Sequence, residues 1–228
     1  ANHLIANSKA LIFAGLLFEN NLSKKLYDQG MRLLNKEINE QILADGGHFE
    51  NSPMYHLIIL EDLLDIKSIH IYFGKNIHNY NSKILQMLHW SLAMTHNDNQ
   101  LSFFNDSCYG VSPSITEIIK FANKLNIDKK LELKNKNIID LKNSGFYILQ
   151  NKDVKIIFNA ANINSSYQPG HSHANVLSFE MSIYNHRFIV NSGISTYNNS
   201  KLREFQRSTK AHSCVTLDNQ NSTEVWSS

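Results

Sequence analysis

Cysteine is scarce in this chain: 228 residues contain two, Cys108 and Cys214. They lie far apart and neither has a CxxC partner, which excludes a disulfide framework and a cysteine zinc site. Long hydrophobic runs are missing too. The stretch 12–18 is too short to span a bilayer and no basic segment precedes it, so no membrane span is expected. Charge of one sign is also lacking: 22 Lys and Arg stand against 20 Asp and Glu, a formal charge of +2. With the lysines scattered, a nucleic-acid-binding surface is not indicated. Proline occurs three times, at Pro53, Pro113 and Pro169, and each marks a junction between expected elements. What is present is 42% hydrophobic and 18% charged residues, the balance of a folded chain rather than a disordered one. The chain opens on Ala1 without a methionine and stops at Ser228 just after an expected strand. It therefore reads as an excerpt of a longer protein, and its start says nothing about location.

Apolar residues at helical spacing predict five helices in the first half. The first covers 7–20, with Leu11, Ile12, Leu16 and Leu17 on one face; the second covers 23–43, with Leu26, Leu33, Leu34, Ile38 and Ile42. Asp45-Gly46-Gly47 breaks the second, and Pro53 opens a third through Leu57, Leu60 and Leu64. A fourth covers 82–94, and Ser112-Pro113 reads as a cap and first-turn proline for a fifth. After the lysine-rich stretch 129–136 the period changes to two. Strands are expected at 145–149, 154–158, 177–184, 188–191 and 214–217, with turns at 151–153 and 185–186. Helices followed by strands, with few alternations, predict a helical layer and then an antiparallel sheet domain. The expected division is 1–128 helical, 129–144 linker and 145–228 sheet.

The most informative segment is Pro169-Gly170-His171-Ser172-His173-Ala174-Asn175, followed by Leu177, Phe179, Met181 and Ile183 at alternate positions. A strand beginning at or just before His171 would point both imidazoles to one side, suited to metal ligation or proton transfer. The segment alone reads equally well as a polar loop with two solvated histidines. The run 45–56 (DGGHFENSPMYH) places Tyr55 and His56 in a first helical turn, where a phenol could face a cleft; the plain alternative is a helix connection with an ordinary amphipathic tyrosine. Asp106, in the loop Phe104-Asn105-Asp106-Ser107, reads first as a turn residue. His212 is a third imidazole before the last strand, and Arg203, Arg207 and Lys210 could hold an acidic ligand or stay solvated.

Together these segments, with Asn2-His3-Leu4 at the start and 190–197 (VNSGISTY) late in the chain, resemble the heparinase II/III family of polysaccharide lyases, which includes heparin, heparan-sulfate and alginate lyases. The matches run in order over nearly the whole chain. The resemblance implies an incomplete α/α toroid followed by an antiparallel β-sandwich, both truncated here. It implies β-elimination on an acidic, uronate-containing glycan: Asn2 neutralises the carboxylate, His3 is a base or charge partner, Tyr55 is the general acid, and His171 is the second catalytic imidazole. Glu50, His56, Tyr197 and Arg207 are implied as substrate-binding residues.

The resemblance also implies a structural zinc ion on His173, His212 and an aspartate whose position is occupied here by Asn191, an amide in place of a carboxylate. A periplasmic or secreted location is a family-level expectation, because large acidic glycans lie outside the cytoplasm. The oligomeric state stays open. Departures at Asn175, Asn191 and Ser213 keep alive a non-lytic glycan-binding or surface-polysaccharide assembly role on the same fold. A metal-dependent hydrolase on His171, His173 and His212 is a third reading.

Overall fold

Serine residues set the helix starts on which the site depends. In the computed structural model, which describes residues 2–75, 77, 80–127, 137–162 and 170–225, α1 (Asn2–Leu17) and α2 (Ser23–Gln41) form a hairpin. The two backbones approach closely: a Cβ on Gly15 would fall 2.5 Å from the Tyr27 amide nitrogen, so only glycine fits. Helix α3 (Pro53–Tyr72) is capped by Ser52, whose Oγ accepts from the Tyr55 amide, and Pro53 occupies the first turn as its sequence predicts. Met54, Leu57, Ile59, Leu60, Leu63, Leu64 and Ile66 are all buried, so α3 is the centre of the helical layer, packed by α1, by α4 (Asn81–Ala93) and by α5 (Ile115–Lys124). Helix α5 starts two residues later than expected. Its cap is Ser114, not Ser112, because the Glu117 amide donates to the Ser114 hydroxyl while the Glu117 carboxylate accepts from the Ser114 amide, a reciprocal pair.

The sheet has five antiparallel strands in sequential order: β1 (Ile138–Leu141), β2 (Phe146–Gln150), β3 (Val154–Asn159), β4 (Phe179–Ile183) and β5 (His186–Ile189). Asn151 makes the β2–β3 turn by accepting from the Asp153 and Val154 amides. Strand β1 lies inside the stretch expected as linker. Strand β4 begins at Phe179, two residues into the expected 177–184, because Leu177 takes a left-handed conformation (φ 63°), and of the two readings of the His171 segment the turn is the one observed. The expected strand at 214–217 is absent: the Cys214 amide bonds back to the His212 carbonyl, and Val215 and Leu217 project into solvent. A short helix, α6 (Lys201–Arg207), was not foreseen.

The register puts Phe146, Ile148, Lys155, Ile157, Asn159, Glu180 and Ser182 on one buried face of the sheet. Phe146, Ile148 and Ile157 pack there with Trp90, Met94 and Phe104 of the helical layer. The polar members of that face are satisfied across the seam. His96 bonds Glu180 at 2.7 Å and Ser182 at 3.1 Å, while the other Glu180 oxygen accepts from the Phe103 and Asn191 amides. The opposite face carries Tyr147, Leu149 and Phe188, all exposed, and Ile156, Phe158, Phe179 and Met181, half-buried.

Lys155 also ties the two layers together. Its buried ammonium donates to the Thr95 and Leu92 carbonyls at the C-terminal end of α4, where cations are favoured. Burial pulls its pKa down to about 8. Between about pH 8 and 10.5 the unfolded chain keeps a proton that folded Lys155 has released, so stability rises with pH across that window. Urea unfolding at the two limits should show a rise of about 2–3 kcal/mol from this group. Lys155→Met should remove it.

Candidate active site

Five segments converge at one end of the seam: the start of α1, the loop leading into α3, the loop at 103–108, the turn at 170–176, and the stretch from Asn191 into α6. At their centre lies Asp106, wholly buried. Its Oδ2 accepts from His171 Nδ1 at 2.7 Å and its Oδ1 from His173 Nε2 at 2.8 Å. Arg203 of α6 bridges both oxygens, at 2.5 and 2.8 Å. Burial pushes the Asp106 carboxyl up, but the hydrogen bonds from the two imidazoles and the guanidinium outweigh it and hold the group well below the usual carboxylate range. Backbone bonds close the same junction. The Asp106 amide donates to the His171 carbonyl, and Ser52, the α3 cap, donates its hydroxyl to the Asp106 carbonyl. Gly193 (φ 64°) lets the 191–197 stretch pass within reach of the Ser107 carbonyl, which a Cβ there would meet at 2.8 Å.

On the open side of this junction the Tyr55 and His171 rings lie 4.1 Å apart, centroid to centroid. The Tyr55 and Tyr197 hydroxyls are 2.9 Å apart, and the Arg203 guanidinium lies over the Tyr197 ring at 5.2 Å. Burial raises both phenols. Their mutual hydrogen bond pulls Tyr55 back down and pushes Tyr197 further up, so Tyr55 is the member of the pair that ionises first. Glu50 is buried, with Oε2 4.0 Å from His171 Nε2, too far for a hydrogen bond. Burial raises its carboxyl; His171, a hydrogen bond from the Asn2 backbone and His3 pull it the other way. The start of α1 therefore reaches the same cluster, with Asn2 buried and His3 exposed.

The structure thus gathers Asn2, His3, Glu50, Tyr55, His171 and Tyr197, but keeps three of the four expected substrate contacts, Glu50, His56 and Arg207, away from solvent. His56 is wholly buried, stacked 4.3 Å from Trp90; its Nδ1 accepts from the His48 amide and its Nε2 donates to the Met87 carbonyl. Burial drops its pKa to about 3, so it stays neutral. Arg207 is buried as well, its Nε and Nη2 donating to the Ser172 carbonyl at 3.1 and 2.9 Å behind the histidine turn. Two residues now central were misjudged from sequence. Asp106 read first as a turn residue, with lining a cleft as the alternative, and Arg203 as one of three cations that could hold an acidic ligand or stay solvated. The sequence signal was membership of the 104–107 motif for Asp106 and proximity to the 207–215 motif for Arg203.

His173 and His212 do meet, with Nδ1 and Nε2 3.1 Å apart. The residues present do not fit the zinc ion that the resemblance implies. Both His173 nitrogens are engaged, one by Asp106 and one by His212. The Asn191 Oδ1 accepts from the Ser213 amide, and an amide oxygen is a poor third ligand for zinc. Among the described residues no group of three His, Cys, Asp or Glu side chains could hold a metal ion.

Comparison with known proteins matches residues 1–131 to the family described as heparinase II/III N-terminus and residues 133–228 to that described as heparinase II/III-like, C-terminal. A heparin-sulfate lyase of Pedobacter heparinus is 28% identical over 247 aligned positions, covering 96% of this chain and 36% of the relative. One of Bacteroides thetaiotaomicron is 24% identical, covering 96% of this chain and 37% of the relative. The chain therefore spans little more than a third of the length of these curated relatives. Among solved structures, the crystal structure of a heparinase III superposes with a TM-score of 0.83 at 20% identity, over 97% of this chain and 40% of that one. At that identity the likeness concerns the fold.

Replacing His56 separates a core role from a cleft role. His56→Ala removes two buried hydrogen bonds and opens a cavity beside Trp90, so it should cost about 3 kcal/mol in urea unfolding. A cleft-facing ligand would change stability by no more than about 0.5 kcal/mol.

Proposed function

The chain belongs to the heparinase II/III-like family, and from that premise we propose that it carries the catalytic cluster of a polysaccharide lyase acting on uronate-containing acidic glycans by β-elimination. The observation that carries the reading is the Tyr55–His171 pair, one ring against the other, with Tyr197 on the phenol and Asp106 behind the imidazole. The Asn2 amide donates to the uronate carboxylate and draws charge from it, which acidifies the proton on C5. His171 Nε2 takes that proton. The C5–H electron pair becomes the C4–C5 double bond, the C4–O bond breaks, and the Tyr55 hydroxyl protonates the departing oxygen. Tyr197 hydrogen-bonds the phenolate left on Tyr55 until that group is reprotonated. His3, exposed at the start of α1, is the charge partner, and Tyr197 borders the sugar. The curated relatives are named heparin-sulfate lyases, which supports a glycosaminoglycan as the substrate class.

Two structural expectations join this proposal. The helical hairpin and the helices packed on α3 are part of an α/α toroid. The apolar outer face of the sheet, with Tyr147, Leu149 and Phe188 exposed, is the inner face of a β-sandwich whose second sheet lies in the remaining length of the protein. A periplasmic or secreted location is part of the same proposal, since large acidic glycans lie outside the cytoplasm.

The test is ultraviolet absorbance of the unsaturated uronate product on mixing full-length protein with heparan sulfate, hyaluronan, chondroitin or alginate. Product should form with at least one polymer, and Tyr55→Phe should lower kcat by about 10²-fold or more. Glycan binding with no product from any of them would replace the lyase with a non-lytic binder.

A further inference from the structure

We infer that Asp106 is a positioning residue for the elimination proposed above: it holds His171 in the Nδ1–H form and so leaves the Nε2 lone pair facing the cleft. The inference rests on that reading of His171 as the proton acceptor.

The geometry leaves little freedom. An ionised carboxylate accepts hydrogen bonds and donates none, so the ring nitrogen 2.7 Å from Asp106 Oδ2 must carry the proton. Arg203, bridging both oxygens of a carboxylate with no exposure to water, keeps Asp106 in its ionised form. The second nitrogen of His171 has no hydrogen-bonding partner among the described residues. The nearest acidic oxygen, Glu50 Oε2, stands 4.0 Å off. A lone pair in that position is free to take a proton from a bound sugar, which a ring of the opposite tautomer could not do. The ring plane is fixed as well, by Tyr55 on one side and by the backbone bond from the Asp106 amide to the His171 carbonyl.

The same carboxylate also orients His173, whose Nε2–H it receives; His173 Nδ1 then accepts from His212 Nε2. Asp106 thus acts on two imidazoles, of which one faces the cleft and one is buried. An asparagine in its place offers only one acceptor oxygen and points an N–H at one of those rings or at Arg203. The His171 ring then loses its single preferred tautomer even where the backbone stays in place. A purely structural Asp106 would alter stability without changing which nitrogen of His171 carries the proton.

The experiment uses the full-length protein labelled with ¹⁵N-histidine, with His171 assigned in solid-state NMR by its loss in His171→Gln. The wild type should show His171 as the Nδ1–H tautomer, and Asp106→Asn should show a mixture. In the same variant kcat should fall about 10²–10⁴-fold on the polymer that the wild type cleaves, with KM within about threefold. An Nε2–H tautomer in the wild type overturns the inference, and that measurement stands even where Asp106→Asn fails to fold. A folded Asp106→Asn protein with unchanged kcat overturns it too. Absence of unsaturated product from the wild type, by contrast, overturns the lyase reading on which the inference rests.

Discussion

A carboxylate shut away from water has to be compensated inside the fold, and Asp106 is compensated by three side chains from two other segments. Its charge is met by Arg203 from α6 and by the imidazoles of His171 and His173 from the turn before β4. Removing any of these leaves part of a buried charge without partners, which costs several kcal/mol. The geometry of the cluster follows from that requirement. His171 is held by its inner nitrogen, its ring is pressed against Tyr55, and Tyr55 sits in the first turn of α3 because Ser52 and Pro53 start the helix there. The α3 cap also donates its hydroxyl to the Asp106 carbonyl, so helix start and charge centre are one unit.

The seam between the helical layer and the sheet works on the same principle. The inner face of the sheet mixes Phe146, Ile148 and Ile157 with Lys155, Glu180 and Ser182, a combination that would be costly against a plain apolar layer. It is tolerated because the helical side supplies matching groups: the last carbonyls of α4 for Lys155, and His96 with the Phe103 amide for Glu180. Glu180 also takes the Asn191 amide, which fixes where the chain leaves β5 for the site. The cluster therefore inherits its shape from a polar interface, in which direction and distance are specified more narrowly than in apolar packing.

Where metal ligation was expected, the chain has a hydrogen-bonded series from Asp106 through His173 to His212. Burial, and then the neighbouring His173, lower the His212 pKa to about 3, so the pair is accommodated as neutral rings. With Asn191 bonded to the Ser213 amide, the loop after β5 is tied to the segment after α6 by an amide rather than through an ion. His171 bonds the other oxygen of Asp106 and packs against Tyr55.

Local features of the sequence determined the elements. The α2, α3 and α4 patterns, Pro53 in a first turn, the Asn151 turn and the β2–β3 hairpin need only neighbouring residues, and each is where its spacing predicts. Motif order likewise carried the family and most of the cluster, from Asn2 to Tyr197. Failures began where distant residues decide. The histidine segment read equally well as a strand entry or a polar loop, and bonds of its backbone to Asn105 and Arg207 make it a turn. The strand expected at 214–217 has suitable residues but no neighbouring strand to pair with it among the described residues. Asp106 lies 65 residues from His171 and 97 from Arg203, so nothing local marks it as the shared acceptor. His56 and Arg207 have side chains suited to a cleft, and only packing sends them inward. Periodicity is a property of short segments and is written in the chain. Which polar groups must share one buried charge depends on where those segments dock, and that was decided by the tertiary structure.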